Sequence, residues 1–349
     1  MNIFLILSTL ITLYLITLFC EFFTNAIEHL GNYFKIQDGA LGSIFAAIGT
    51  AFPETVLPLI AIFGAYLSGS DIQMGKEIGK GAVLGSPFML STLAFFLVAL
   101  WIIILSVRKK RTSLVNINVK FFRRDLIFFL TAYSIGVACS FCPADYGFIK
   151  IIIGIFLLGF YLFYAIRTVK KNCCTDGFCE NECEELKILK IFKNAENIKV
   201  YLIFAQLILS ALALMVSAEI FVENIKEISQ IFNINALIIS LFISPVATEL
   251  PETVNGLVWS TNKKDTLAVS NITGAMVFQA CIPMAIAVLF TDWTLGAKEL
   301  FNIICVYVSV AILFFAARKN SDEFPAKYLI LCIIPYLSYL FYICCKIFR

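Results

Sequence analysis

Two short stretches of this chain share one pattern, Thr-x-x-Pro-Glu-Thr-Val, at Thr50 to Val56 and at Thr248 to Val254. Both lie inside long apolar runs. Pro53 and Pro251 have no backbone N–H to give, which frees the carbonyls of Gly49 and Ala247 four residues earlier. Glu54 and Glu252 follow each proline. Thr50 and Thr248 stand one turn before them, so hydroxyl and carboxylate share a helix side. Glu249 adds a third carboxylate. A set of carbonyl, hydroxyl and carboxylate oxygens suits a hard cation such as Ca²⁺, Mg²⁺ or Na⁺. Left ionised and alone at the centre of a bilayer, three carboxylates would cost on the order of 7–10 kcal/mol. Residues 36–75 and 227–262 contain no Lys or Arg to offset them. The offset must come from another segment, from protons or from a bound cation, and a cation that exchanges with protons or a second cation is the reading adopted here.

The elements that must hold these residues are legible in the composition. The chain has 349 residues, 60% hydrophobic and only 15% charged, against about 25% charged in soluble domains. A membrane-spanning helix needs roughly 20 mainly apolar residues. About ten such segments can be drawn: 3–30, 38–66, 82–107, 124–141, 147–168, 200–226, 236–260, 266–290, 295–317 and 326–346. The first reads as a spanning helix, because it has no basic leader and no small-residue cleavage site.

Basic residues set orientation in the membrane. With both termini outside, the inner loops hold Lys35, the run Arg108 to Arg124, Arg167 to Lys199, Lys263, Lys264, Arg318, Lys319 and Lys327. Few remain outside, so the net charge of +3 reports topology and gives no reason to expect nucleic acid as a partner.

Shifting the chain against itself by 198 residues aligns Glu21, Phe23, Ile27 and Phe34 with Glu219, Phe221, Ile225 and Phe232, and aligns the two Pro-Glu motifs. After a nine-residue gap, Gly81 to Leu90 falls on Ser270 to Gln279, with Gly85 on Gly274. Five spans per half force the halves into opposite orientation, as in transporters whose site lies at broken helices near the midplane. The expected fold is therefore an all-α membrane protein of ten helices in two inverted five-helix repeats. Residues 1–168 form the first repeat, 169–199 a Cys- and Glu-rich cytoplasmic linker, and 200–349 the second repeat.

At these motifs the sequence resembles the sodium/calcium exchanger (Ca²⁺:cation antiporter) superfamily, whose two repeats carry Gly-Thr-Ser-x-Pro-Glu followed by a Gly-Ser-rich helix. Here they read Gly49-Thr50-Ala51-Phe52-Pro53-Glu54, then Gly81 to Leu90, and Ala247-Thr248-Glu249-Leu250-Pro251-Glu252, then Ser270 to Gln279. The resemblance implies a secondary antiporter that exports Ca²⁺ in exchange for Na⁺ or H⁺ by alternating access. Spans 3–30 and 200–226 would slide over the other eight. Carried over by position, the site takes Thr50, Glu54, Ser86, Thr248 and Glu252. Glu249 and Gln279 join it with the carbonyls of Gly49 and Ala247. The departures are Ala51 and Glu249 where serines are expected, Leu90 where a polar residue is expected, Ala275 where a serine is expected, and Gln279 where the residue is often acidic or an amide. They leave the ions open, with Na⁺/H⁺ or other cation/proton exchange, or a channel of the same fold, as alternatives.

No cofactor is expected beyond the transported cations, and no enzyme. There is no H-E-x-x-H motif, and His29, the single histidine, is expected at the membrane interface. Glu21 and Glu219 would line access paths or sit in headgroup water. The thiols Cys173, Cys174, Cys179 and Cys183 fall in the linker, where either a soft-metal site or a plain connector is open. Cys139 and Cys142 could pair or simply pack. The other expected partner is membrane lipid, the simplest assembly is a monomer, and the expected location is a prokaryotic plasma membrane.

Overall fold

The computed structural model describes residues 3–33, 54–64, 71–142, 147–172, 186, 200–318 and 322–347. Residues 38–53 of the second expected span, with Gly49, Thr50 and Pro53, lie outside them, as does the cysteine-bearing linker. The described helices are α1 (Ile3–Tyr33), α2 (Glu54–Gly64), α3 (Ile72–Met89), α4 (Phe95–Val107), α5 (Val119–Cys139) and α6 (Gly147–Asn172). They continue as α7 (Val200–Phe232), α8 (Ala236–Thr248), α9 (Leu250–Thr261), α10 (Asp265–Phe290), α11 (Ala297–Ala316), α12 (Lys327–Ile330) and α13 (Ile333–Ile347). Among the described residues, seven helical stretches are long and apolar enough to cross a membrane.

Side chains sort by where they point. Phe4, Leu7, Leu10 and Tyr14 on α1, Ile151, Ile155 and Leu162 on α6, and Tyr201, Ile208 and Leu212 on α7 are exposed. Water would penalise so continuous an apolar surface; lipid does not. By contrast α10 and the α3–α4 stretch are mostly buried, and they form the centre of the bundle.

The 82–107 expectation is corrected in length. The helix begins ten residues earlier, capped by Asp71, whose Oδ1 accepts the Met74 N–H at 3.1 Å. It therefore includes Lys76, Glu77 and Lys80, which the apolar criterion assigned to a loop. Lys80 is buried and pairs with Asp292 at 3.1 Å, joining the middle of α3 to the segment just after α10. Partial burial opposes ionisation of Asp292, but the Lys80 ammonium outweighs it and holds that carboxyl below its usual range. A π-helical turn, Leu90–Ala94, separates α3 from α4 just after Pro87. The expected 236–260 span is broken at Glu249 into α8 and α9.

At the other end of the α3–α4 stretch, Arg111 makes a bidentate pair with Asp265 (2.7 and 2.6 Å) and donates to the carbonyls of Ser260 and Leu114. Two short antiparallel strands, β1 (Leu114–Asn116) and β2 (Glu323–Pro325), complete this clasp. The helical pattern of the sequence gave no sign of them.

Contacts fix the relative directions of the helices. Ser8 of α1 meets Asn224 of α7 at 3.0 Å, and Asn25 of α1 meets Gln206 of α7 at 3.0 Å, so α1 and α7 run antiparallel. α3 runs parallel to α8. A Cβ on Gly81 would fall on the Leu237 carbonyl and 2.9 Å from Ser240 Cβ; one on Gly85 would fall on the Leu241 carbonyl and 2.7 Å from Pro245 Cγ. Small residues four apart let two backbones approach this closely, and Ser240 Oγ then reaches the Ile78 carbonyl at 2.7 Å.

Gly85→Ala should therefore push α3 off α8 and destabilise the protein by about 1–3 kcal/mol, the range for overpacking. Gly159→Ala, whose new methyl would meet nothing within 4 Å, should leave the melting temperature unchanged or raise it. Thermal unfolding of the two purified variants checks both outcomes.

Candidate cation site

The α8–α9 break builds the site. Glu249 leaves the helix with φ −98° and ψ −5°, while its carbonyl accepts from both the N–H and the hydroxyl of Thr253, at 3.1 and 3.0 Å. Pro251 stands at the start of α9 and Glu252 in its first turn, where the positive end of the helix dipole favours an anion. Ala247 lies in the last turn of α8, and Pro251 has no N–H to offer its carbonyl.

From this break Glu249 and Glu252 meet Glu54 of α2. Carboxylate oxygens of the three lie within 4.8 Å of one another, and all three side chains are buried. Glu249, 0% exposed, is held on every side. Thr248 Oγ1 lies 3.2 Å from its Oε1. Gln279 of α10 donates to its Oε2 at 2.8 Å. The Ser86 side chain of α3 lies close by. Four helical segments thus converge on one point.

The remaining oxygens are not satisfied. Both oxygens of Glu54, Oε2 of Glu252 and Oε1 of Gln279 are buried without a hydrogen-bond partner. Buried polar atoms are nearly always paired, and carboxylate and amide oxygens without donors are what a hard cation would use. The donor set fits such an ion.

Of the residues expected from sequence, Glu54, Ser86, Thr248, Glu249, Glu252 and Gln279 are brought together. Gly49 and Thr50 lie outside the described residues. Leu90 is fully buried in the π-helical turn. Sequence reasoning missed Ser240 and Ser244, whose hydroxyls lie 2.9 Å apart beneath Thr248, and Asn271, which donates to the Glu252 carbonyl at 3.5 Å. Their small polar side chains on the site-bearing helices were the available signal. His29 is buried, 8% exposed, in the last turns of α1. Glu21 and Glu219 are exposed on α1 and α7. Cys139 and Cys142 are free thiols.

A multi-pass helical bundle with a buried carboxylate cluster at a broken helix defines the class of protein. The family profile described as sodium/calcium exchanger protein matches residues 4–170 and 202–346. The chain belongs to the sodium/calcium exchanger family and is an integral membrane protein. It is 24% identical over 320 residues to an uncharacterized membrane protein of Methanocaldococcus jannaschii, covering 89% of this chain and 91% of that one. Its fold is similar to the crystal structure of an H⁺/Ca²⁺ exchanger, CAX, with a TM-score of 0.70 and 13% identity, covering 97% of this chain and 82% of that chain. It is also similar to the sodium-calcium exchanger NCX_Mj, with a TM-score of 0.57 and 21% identity over 97% and 98% of the two chains.

Gln279→Leu removes the amide that holds Glu249 and leaves a buried carboxylate oxygen without a donor. It should destabilise the cation-free protein by about 1–3 kcal/mol, read as a lower melting temperature. An unchanged temperature would mean that Glu249 does not depend on this bond.

Proposed function

We propose that the chain is a secondary antiporter that carries Ca²⁺ against Na⁺ or H⁺, binding the cation between Glu54, Glu249 and Glu252. The observation that carries this reading is the set of orphaned, buried oxygens around three carboxylates. Three ionised carboxylates give a charge of −3, and a divalent cation leaves −1. When Ca²⁺ leaves, protons or Na⁺ must take its place on the same oxygens, and this mutual exclusion couples the two ions through one site. Thr248 and Gln279 hold Glu249 in place beside Ser86; Glu54 and Glu252 offer the free oxygens. Thr50 and the carbonyls of Gly49 and Ala247 complete the ligand set by analogy between the two repeats.

The inverted-repeat reading draws support from the helix directions. The 198-residue shift places α1 on α7, and these run antiparallel. It also places α2 on α9 and α3 near α10. Opposite directions for two corresponding helices, as α1 and α7 have, are what a pseudo-two-fold axis in the membrane plane produces. Ten spans with both termini outside, in a prokaryotic plasma membrane, fit the distribution of basic residues.

A second reading has its own observation. Leu90 is apolar and buried where its partner in the other repeat, Gln279, is polar, so one side of the site offers no oxygen. That favours a smaller ion set, such as Na⁺/H⁺ or other cation/proton exchange.

The test is ⁴⁵Ca²⁺ uptake into proteoliposomes, driven in turn by outward Na⁺ and outward H⁺ gradients. The wild type should accumulate Ca²⁺ under one of them, and Glu54→Gln and Glu252→Gln should abolish uptake. Ca²⁺ at 100 times its Kd should also stabilise the wild type by about 2.7 kcal/mol and neither variant. No Ca²⁺ flux under either gradient, in protein that melts normally, would reject Ca²⁺ and leave the second reading.

A further inference from the structure

Away from the carboxylates, α11 packs against α5 and α13. Asn302 of α11 faces this junction at 0% exposure, and neither its Nδ2 nor its Oδ1 has a partner. Tyr339 of α13 and Tyr133 of α5 are also 0% exposed, and both hydroxyls are without a partner. Tyr339 packs against Phe301, the residue before Asn302, at 6.1 Å, and Tyr133 against Tyr307 of the same helix at 5.8 Å. Tyr133 lies within electrostatic reach of Tyr339. Tyr339 lies within reach of Glu299 and Cys305, which flank Asn302 one turn to either side on α11.

The rings cannot swing away to find partners. Tyr339 packs against Phe242 at 5.5 Å, Phe301 at 6.1 Å and Phe88 at 5.2 Å, and Tyr133 against Phe129 at 5.2 Å and Tyr307 at 5.8 Å. Four fixed polar atoms buried in an apolar junction are too costly to leave unmet. Together they offer both donors and acceptors: an amide N–H, an amide oxygen and two phenols that can act either way. A water molecule needs two to four such partners. All of these groups are uncharged, and Glu299 stands only at the half-buried edge, so the set suits a neutral occupant and not a cation.

We propose that Asn302, Tyr133 and Tyr339 form a buried hydration site, in which ordered water bridges α5, α11 and α13. Through the Tyr339–Phe88 contact it supports α3 two residues from Ser86. The site is separate from the carboxylate cluster and does not depend on the transport reading.

The test is X-ray radiolytic hydroxyl-radical footprinting of the full chain in detergent, read by mass spectrometry, because bound water generates radicals in place. Tyr133 and Tyr339 should be labelled several-fold faster than Phe95 and Phe122, which are as deeply buried. Asn302→Leu should lower that labelling several-fold. If Asn302→Leu does not fold, Tyr339→Phe should lower labelling at Tyr133. Labelling of both tyrosines no faster than Phe95 and Phe122 overturns the proposal. So does labelling that collapses when Na⁺ replaces choline, because the occupant would then be a cation.

Discussion

Few side chains are as costly in a bilayer as a carboxylate, and this chain brings three of them within 4.8 Å of one another. Much of the surrounding architecture is explained by that cost. The helix must break beside them, because an unbroken helix would spend every N–H and carbonyl on itself. Pro251 forces the break, and Glu249 occupies it. Two other helices must approach closely enough to supply donors. Gly81 and Gly85 let α3 lie against the α8 backbone, which brings Ser86 to Glu249. Were either glycine larger, Ser86 would be held away from Glu249.

The division of labour among the carboxylates follows from the same geometry. Glu249 is met by a threonine and a glutamine, with Ser86 close by, so its hydrogen bonding is largely complete without any ion. Glu54 has no partner on either oxygen, and Glu252 has none on Oε2. A group already satisfied gains little from a cation, whereas an orphaned one gains much. On the proposed reading Glu249, already held by its neighbours, anchors the site, and Glu54 and Glu252 offer the oxygens that an arriving ion engages.

The break and the carboxylates were legible because each rests on a local rule. Proline cannot continue a helix, and glutamate in an apolar run demands a partner. The bond from Gln279 to Glu249 was not legible in the same way. It joins residues 30 apart in the chain, and nothing in either local sequence says which way an amide turns. Lys80 marks a second boundary of sequence reasoning. An apolar window stops at a charged residue, yet α3 runs on through Lys76, Glu77 and Lys80 because Lys80 finds Asp292 212 positions away. Long basic side chains keep an apolar stem within the bundle and a charged head at its edge, so hydropathy marks the hydrocarbon thickness and not the end of the helix.

The two ends of the bundle show why the core can stay rigid around such a site. Lys80–Asp292 joins α3 to the segment just after α10 at one face. At the other, Arg111 and Asp265 join the end of α4 to the start of α10, with β1 and β2 closing the same face. A buried bidentate pair of this kind contributes little net stability against an apolar replacement, but breaking one partner is strongly destabilising. Such pairs therefore fix geometry more than they add stability. Between the two faces lie the π-helical turn and the α8–α9 break, where the backbone ladder is irregular. By contrast α1 and α7 pack along each other through Ile16, Cys20, Leu214 and Ala218 and through polar contacts nearer their ends, and they expose long apolar faces. The site thus sits where two clamped ends leave the middle of the helices free to depart from regular geometry, and it is there that the unpartnered carboxylate oxygens lie.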